Sequence, residues 1–70
     1  MNSLMNLTVN GEARTFQGPP TLAALVESLG LDLRKVAVER NLEIVPRSRL
    51  PETPVADGDR IEIVVFVGGG

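Results

Sequence analysis

The chain has 70 residues, enough for one small domain, and we expect residues 1–70 to form it. A domain of this size buries only about 60% of its unfolded surface, which leaves little room for an enzyme pocket. Seven basic and nine acidic residues give a net charge of −2, which argues against a face that binds nucleic acid.

Cysteine and histidine are both absent. Disulfides and thiolate catalysis are therefore excluded, and a zinc site or any other metal site is not expected. No apolar run approaches the roughly 18 residues of a membrane span, and residues 1–4 do not resemble the start of a signal peptide. We expect a cytoplasmic protein with no bound cofactor and no affinity for membranes.

The first predicted element is a β-hairpin. Apolar and polar residues alternate over Met5–Val9, Asn10-Gly11 is a typical two-residue turn, and a second strand is predicted over 13–16. Residues 1–4 precede this pattern, so we expect them to be an extension, with Met5 as an alternative start.

A short amphipathic helix follows. Thr21 is the expected N-cap, and Gly30 is expected just beyond the C-terminal end. The helix carries an apolar stripe at Leu22, Leu25, Val26 and Leu29. This stripe predicts that the helix packs on one face of a sheet, with Leu31 and Leu33 closing the end of the core.

The middle of the chain predicts two more strands and a loop. Val36–Glu39 is the third strand, residues 40–42 form a turn, and Glu43–Val45 is a brief fourth strand. Pro46 cannot donate a backbone hydrogen bond, so we expect this strand at an edge of the sheet. Residues 47–56 are expected to be a surface loop. Its Arg47 and Arg49 are expected to be solvated, and the alternative is that they contact an acidic partner or nucleotide phosphates.

The last strand is expected to be central. Asp57-Gly58-Asp59 predicts a turn, and 60–67 is rich in β-branched residues. Alternation along the strand predicts a core face at Ile61, Ile63 and Val65 and an outer face that includes Val64 and Phe66. The element order therefore indicates the α+β class.

Two apolar residues on the outer face suggest a docking patch, defined by Val64 and Phe66. The alternative is that the loop covers them as a small secondary core. Gly68, Gly69 and Gly70 follow, so 67–70 is expected to be a flexible tail whose terminal carboxylate is the functional group. The alternative for this tail is an inert extension.

Taken together, four motifs resemble the ThiS family, the sulfur carriers of thiamine (thiazole) biosynthesis, over residues 5–70. They are Val9-Asn10-Gly11-Glu12, Ala37-Val38-Glu39-Arg40-Asn41, Ile44-Val45-Pro46-Arg47 and the ending from Asp57-Gly58-Asp59 to Phe66-Val67-Gly68-Gly69-Gly70. The family ends in two glycines, so Gly68 is an additional link or part of the strand.

This resemblance implies the ubiquitin-like β-grasp fold, a mixed five-stranded sheet with parallel first and last strands and one helix on one face. It also implies that Gly70 is adenylated with ATP by a ThiF-like E1 adenylyltransferase and receives sulfur from a persulfide enzyme. The resulting thiocarboxylate donates its sulfur at a ThiG-like thiazole synthase, so the chain is a co-substrate and not an enzyme. The residues expected to bind these partners are Val64, Phe66, Val67, Gly68 and Gly69.

Two other functions share parts of this pattern. The small subunit of molybdopterin synthase and ubiquitin-like modifiers have the same fold and terminal glycines, and a β-grasp module with an inert tail would only bind partners. The motifs in the middle of the chain favour the thiazole carrier. We expect the free chain to be a monomer.

Overall fold

The structure is a computed structural model that describes residues 3–67. Within this range the chain forms β1 (Met5–Val9), β2 (Glu12–Phe16), α1 (Leu22–Ser28), β3 (Val36–Arg40), β4 (Glu43–Val45) and β5 (Arg60–Val65). The strand order is β2-β1-β5-β3-β4, with β1 and β5 parallel and the other neighbours antiparallel. The predicted α+β class, the central last strand and the edge position of β4 are confirmed.

The hairpin of β1 and β2 has the predicted turn. Asn10 and Gly11 both have positive φ, at 50° and 81°, as a two-residue hairpin turn requires. The register pairs Val9 with Glu12 and Met5 with Phe16. This register turns Met5, Leu7 and Val9 toward the core, where all three are buried.

Helix α1 begins and ends where the sequence predicts. The Thr21 Oγ1 accepts a hydrogen bond from the Ala24 N–H (3.1 Å), and Leu29 is the C-cap, followed by Gly30 at a φ of 77°. The apolar stripe packs on β1, β3 and β5 and forms the core together with residues of these strands. Within residues 3–67, no helix is long and apolar enough to cross a membrane.

The expectation that residues 47–56 lie wholly on the surface is wrong. Leu50 and Val55 are buried in the core. The Ala23 N–H donates to the Leu50 carbonyl, and the Leu22 N–H donates to the Thr53 carbonyl, both at 3.0 Å. The loop passes this close to the helix because the first amides of a helix have no partner within it.

The predicted length of the last strand is also wrong, since β5 ends at Val65 and not at Val67. Its antiparallel pairing with β3 runs from Arg40 and Ile61 to Val36 and Val65. A single further bond, from the Phe66 N–H to the Lys35 carbonyl (2.8 Å), continues this ladder. The start of β3 therefore sets the end of β5.

Replacing Gly11 with valine should lower the free energy of unfolding by roughly 1–3 kcal/mol, because valine would be held at positive φ. A Cβ at this position would contact nothing within 4 Å, so the loss would report backbone strain alone. Thermal and urea unfolding of the variant measure it. Gly11→Asn is the matched control, because asparagine tolerates this conformation and should lose much less. Equal losses for the two variants would contradict the strain argument.

Candidate functional site

The candidate site is the end of β5 and the start of the tail. Val64 and Phe66 are about half exposed, and Val67 is 92% exposed. The other predicted site residues, Gly68, Gly69 and Gly70, lie outside the described residues. The structure therefore describes the base of the tail, which begins directly after the central strand.

The outer face of β5 carries the predicted docking patch. Val64 lies opposite Ala37 in the pairing of β5 with β3, and the surface loop does not cover Val64 or Phe66. Ile44 lies on the same face of the sheet, because it pairs with Glu39, and its side chain is 78% exposed. Sequence reasoning missed Ile44, which belongs to this face only through the register of β4.

The inner face of β5 differs from the prediction at one position. Ile61 and Ile63 are buried as expected. Val65 lies on the predicted face, but the residue is 44% exposed, so the expectation that it is part of the core is wrong. The physical reason is that β1 ends at Val9 and α1 ends at Ser28, so neither element reaches far enough to cover Val65.

Val65 instead lines a shallow groove of about 410 Å³ on the helix side of the sheet. The apolar part of its wall comes from Val9, Leu29, Leu31, Ile63 and Val65. Glu12 and Arg14 of the edge strand β2 lie at the polar side of the groove. The base of the tail thus has an apolar surface on each face of the sheet.

The side chain of Asn10 clamps the hairpin turn to β5. Its Oδ1 accepts a hydrogen bond from the Ile63 N–H (2.7 Å), and its Nδ2 donates to the Ile63 carbonyl (3.1 Å). In a longer parallel ladder, backbone groups of β1 would make these two bonds. Asn10 therefore continues the parallel pairing of β1 and β5 by one step beyond the end of β1.

The carboxylate of Asp59 organises the start of β5. Its Oδ2 accepts hydrogen bonds from the Arg40 Nε (2.7 Å) and the Ala56 N–H (2.8 Å), and its Oδ1 accepts one from the Asn41 Nδ2 (3.0 Å). Burial of Asp59 raises the pKa of the carboxyl group. The bond from Ala56 and the bonds and charge of its other partners outweigh this effect, and the net pKa lies below its usual 3.8.

Sequence reasoning placed Asp59 and Arg40 in two separate turns and missed this cluster. The residues are 19 positions apart, and no local pattern signals the contact. The turn at Asp57-Gly58-Asp59 is confirmed, with Gly58 at a φ of 89°. Within residues 3–67, no three acidic side chains converge into a group that could hold a metal ion.

Replacing Asp59 with asparagine should lower the free energy of unfolding at pH 7 by roughly 2 kcal/mol, because the amide nitrogen cannot accept the bonds from Arg40 and Ala56. Asp57→Asn is the matched control, since Asp57 is exposed and accepts one bond, from the Asn6 N–H. Urea unfolding of both variants measures the losses. Equal losses would contradict a special role for Asp59.

The difference in unfolding free energy between the parent and Asp59→Asn should depend on pH, and the sign of this dependence is known. A carboxyl group whose pKa is lowered by folding stabilises the protein above its unfolded pKa of 3.8 and loses that contribution as the pH falls through the lower folded value. The gap in unfolding free energy between the parent and Asp59→Asn should therefore be constant above about pH 5 and narrow in acid. Asp32, with a pKa lowered to about 2 by its bond with Arg34, is present in both proteins and does not affect the gap.

Comparison with known proteins places these features in one family. A family model described as the ThiS family matches residues 7–70. A sulfur carrier protein ThiS of Bacillus subtilis is 48% identical over 65 residues, which cover 91% of this chain and 98% of the relative. A crystal structure of the thiamine biosynthesis protein ThiS from Geobacter metallireducens is 39% identical, with a TM-score of 0.78, and the match covers 94% of this chain and 100% of that one.

A second kind of relative is much longer. A thiazole synthase of Paramagnetospirillum magneticum is 58% identical over 66 residues, which cover 94% of this chain and 20% of the relative. The chain thus spans about a fifth of the length of the thiazole synthases that it matches. A segment similar to this chain is part of the same polypeptide as the synthase.

Proposed function

This chain belongs to the ThiS family of small sulfur carriers, and we propose that the carboxyl group of Gly70 is the group that carries the sulfur. The family match covers residues 7–70 and supports a role as a sulfur carrier of thiamine biosynthesis. The observation that best supports the chemical proposal is the exposure of Val67, which directly follows Phe66, the residue whose N–H bonds to the Lys35 carbonyl. The backbone just before the tail is therefore held by a hydrogen bond, and the tail can extend away from the domain.

The proposed chemistry activates a carboxylate that is a poor electrophile. An oxygen of the Gly70 carboxylate attacks the α-phosphorus of ATP and displaces pyrophosphate, and the product is an acyl adenylate. The terminal sulfur of a persulfide then attacks the acyl carbon, and AMP leaves with the oxygen. A thiol then attacks the donor enzyme's sulfur in the resulting acyl disulfide, so that a new disulfide forms between the thiol and the donor enzyme. The thiocarboxylate is the leaving group, and it donates its sulfur to the thiazole.

The chain's own contribution is delivery. Four residues from Val67 to Gly70 span about 13 Å when extended, which is enough to cross the wall of a partner's active site. Glycine has no Cβ, so this backbone can follow a narrow channel in conformations that other residues avoid. The absence of cysteine from the sequence means that no internal thiol can intercept the activated acyl group.

The proposed activating partner is a ThiF-like E1 adenylyltransferase that binds the outer face of the sheet. The docking patch of Val64 and Phe66 lies beside the tail and is exposed on this face. Such apolar groups are typical anchors of protein interfaces, and a tail inserted next to them would be held at a defined distance from the bound ATP. ATP is thus a substrate of the partner, and this chain needs no bound cofactor of its own.

The proposed acceptor partner is a ThiG-like thiazole synthase. The thiazole synthases that resemble this chain over a fifth of their length support this assignment, because they contain both modules in one polypeptide. Covalent linkage of two modules raises their effective concentration for each other.

The 70-residue chain should gain mass when it is incubated with ATP, a ThiF-like enzyme and a persulfide donor. The gain should equal the replacement of one oxygen by sulfur, and intact-protein mass spectrometry measures it. A variant with one alanine added after Gly70 is the matched control and should fold normally without gaining mass. If the parent stays unchanged while another ThiS protein reacts under the same conditions, the carrier chemistry is wrong and the tail is inert.

Phe66→Ala should separate docking from folding. Because the Phe66 side chain is 52% exposed, its loss should change the free energy of unfolding by less than about 1 kcal/mol. The same change should weaken the complex with the activating enzyme by about 2 kcal/mol or more. Calorimetric titration and urea unfolding measure the two quantities.

Ile63→Ala is the control on the opposite face of the same strand. Ile63 is buried, so its truncation should cost the fold about 2–5 kcal/mol. A Phe66→Ala variant that is as destabilised as Ile63→Ala, or that binds the activating enzyme like the parent, would contradict the docking patch.

A further inference from the structure

The backbone of Val65 has unused hydrogen-bonding capacity. In the ladder of β3 and β5, the Phe66 N–H donates to the Lys35 carbonyl and the Asn41 N–H donates to the Arg60 carbonyl, both at 2.8 Å. Bonded and non-bonded pairs alternate along an antiparallel ladder, so the even-numbered residues of β5 bond to β3. Consequently, the N–H and C=O groups of Val65 point away from β3, toward the side on which β1 lies.

Strand β1 does not reach Val65. The pairing of β1 with β5 ends at Val9 and Ile61, and the Asn10 N–H donates to the Ile61 carbonyl (2.9 Å). The Asn10 side chain then occupies both backbone groups of Ile63. Among the described residues no strand continues beside Val65, so its donor and its acceptor remain open where the tail begins.

The groove on the helix side adjoins this open edge. Val65 forms part of its apolar wall together with Leu29 and Leu31. A Val65 side chain that is 44% exposed in the central strand is an incompletely covered part of the sheet. Unpaired backbone groups next to a pocket for an alternate side chain are the two features that β-strand addition uses.

We propose that an extended segment of the thiazole synthase adds to β5 at Val65, in the position that a longer β1 would occupy. Backbone hydrogen bonds to Val65 provide the pairing, and one apolar side chain of the segment enters the groove. This inference rests on the proposed function, which makes the synthase a partner. The synthase is favoured over the activating enzyme because the docking patch assigned to that enzyme lies on the other face of the sheet.

The position of the added strand follows from the clamp at Asn10. Because Ile63 is already bonded, an incoming strand can pair only from Val65 outward. The next residue of the same parity is Val67, the first residue of the tail. The added strand would therefore bind the carrier and also orient the tail along the axis of that strand.

The test removes one backbone donor from the full 70-residue chain. N-methylvaline at position 65, introduced by chemical synthesis and ligation, lacks the open N–H but keeps the side chain and the ladder with β3. Its melting temperature should match that of the parent. Its affinity for thiazole synthase should fall about tenfold or more, because the hydrogen bond is lost and the methyl group blocks the approach of a strand.

N-methylalanine at position 13 is the matched control. Val9 and Glu12 flank the two-residue turn as a bonded pair, so Ala13 belongs to a non-bonded pair and its N–H points outward from the edge strand β2. This change removes an equally open donor at the other end of the sheet. The affinity of the control for the synthase should be within about twofold of the parent's. The corresponding difference in binding free energy is smaller than the contribution of one hydrogen bond.

Amide hydrogen exchange of the unmodified chain provides the second measurement. The Val65 amide should exchange rapidly in the free chain and about tenfold or more slowly with saturating synthase, because a new hydrogen bond must open first. An unchanged rate at Val65, or a modified chain that binds the synthase like the parent, would overturn the inference. If affinity falls only for the activating enzyme, the added strand belongs to that enzyme and the assignment to the synthase is wrong.

These outcomes are distinct from a failure of the carrier chemistry. If the parent gains no sulfur with any activating enzyme, the proposed function fails, whether or not the synthase binds. If the parent gains sulfur but the Val65 modification leaves synthase binding intact, only the strand addition fails.

Discussion

The carboxylate of Asp59 is the interaction on which the central strand depends. Its side chain joins the turn after β3, through Arg40 and Asn41, to the loop before β5, through Ala56. Its backbone carbonyl accepts a hydrogen bond from the Thr8 N–H (3.0 Å), which begins the parallel pairing with β1. A strand that is neighboured by β1 and β3 needs the correct register with both, and a one-residue slip would exchange its two faces. Since the position of the tail depends on this register, the partly buried ion pair of Asp59 with Arg40, more than ten residues from Gly70, influences which side chains lie beside the tail.

The sequence was sufficient to predict the elements whose signals are local. The alternation over Met5–Val9, the positive φ at Gly11 and the cap at Thr21 each depend on neighbouring residues, and all three are confirmed. The burial of Leu50 and the partners of Asp59 depend on segments that are distant in sequence, so periodicity could not reveal them. Similarly, the exposure of Val65 follows from where β1 and α1 stop. Parity predicted its face correctly but could not predict whether a neighbouring element covers it.

The alternation of residues along β5 separates both its side chains and its backbone groups into two sets. Side-chain parity separates Ile61 and Ile63, which stabilise the core, from Val64 and Phe66, which are exposed beside the tail. Backbone parity separates the residues that bond to β3 from Val65, whose groups remain open. A domain this small has little room for both a pocket and a full core, and the proposed recognition surfaces lie on the same strand that stabilises the fold. The strand can serve both purposes because each residue presents its side chain and its hydrogen-bonding groups in independent directions.

This arrangement also explains how one tail could be passed between two enzymes. A terminal glycine segment has no side chains, so a partner can recognise the carrier only through the surface that surrounds the tail's base. The outer patch and the inner groove lie on opposite faces of the sheet, and both adjoin Phe66 and Val65. Two partners that bound the same face would contact the same residues. Those residues could then not be optimised for one partner without weakening the contacts with the other. In the proposed arrangement separate faces remove that conflict, because the contacts with an activating enzyme and with a synthase could be optimised independently around the same tail.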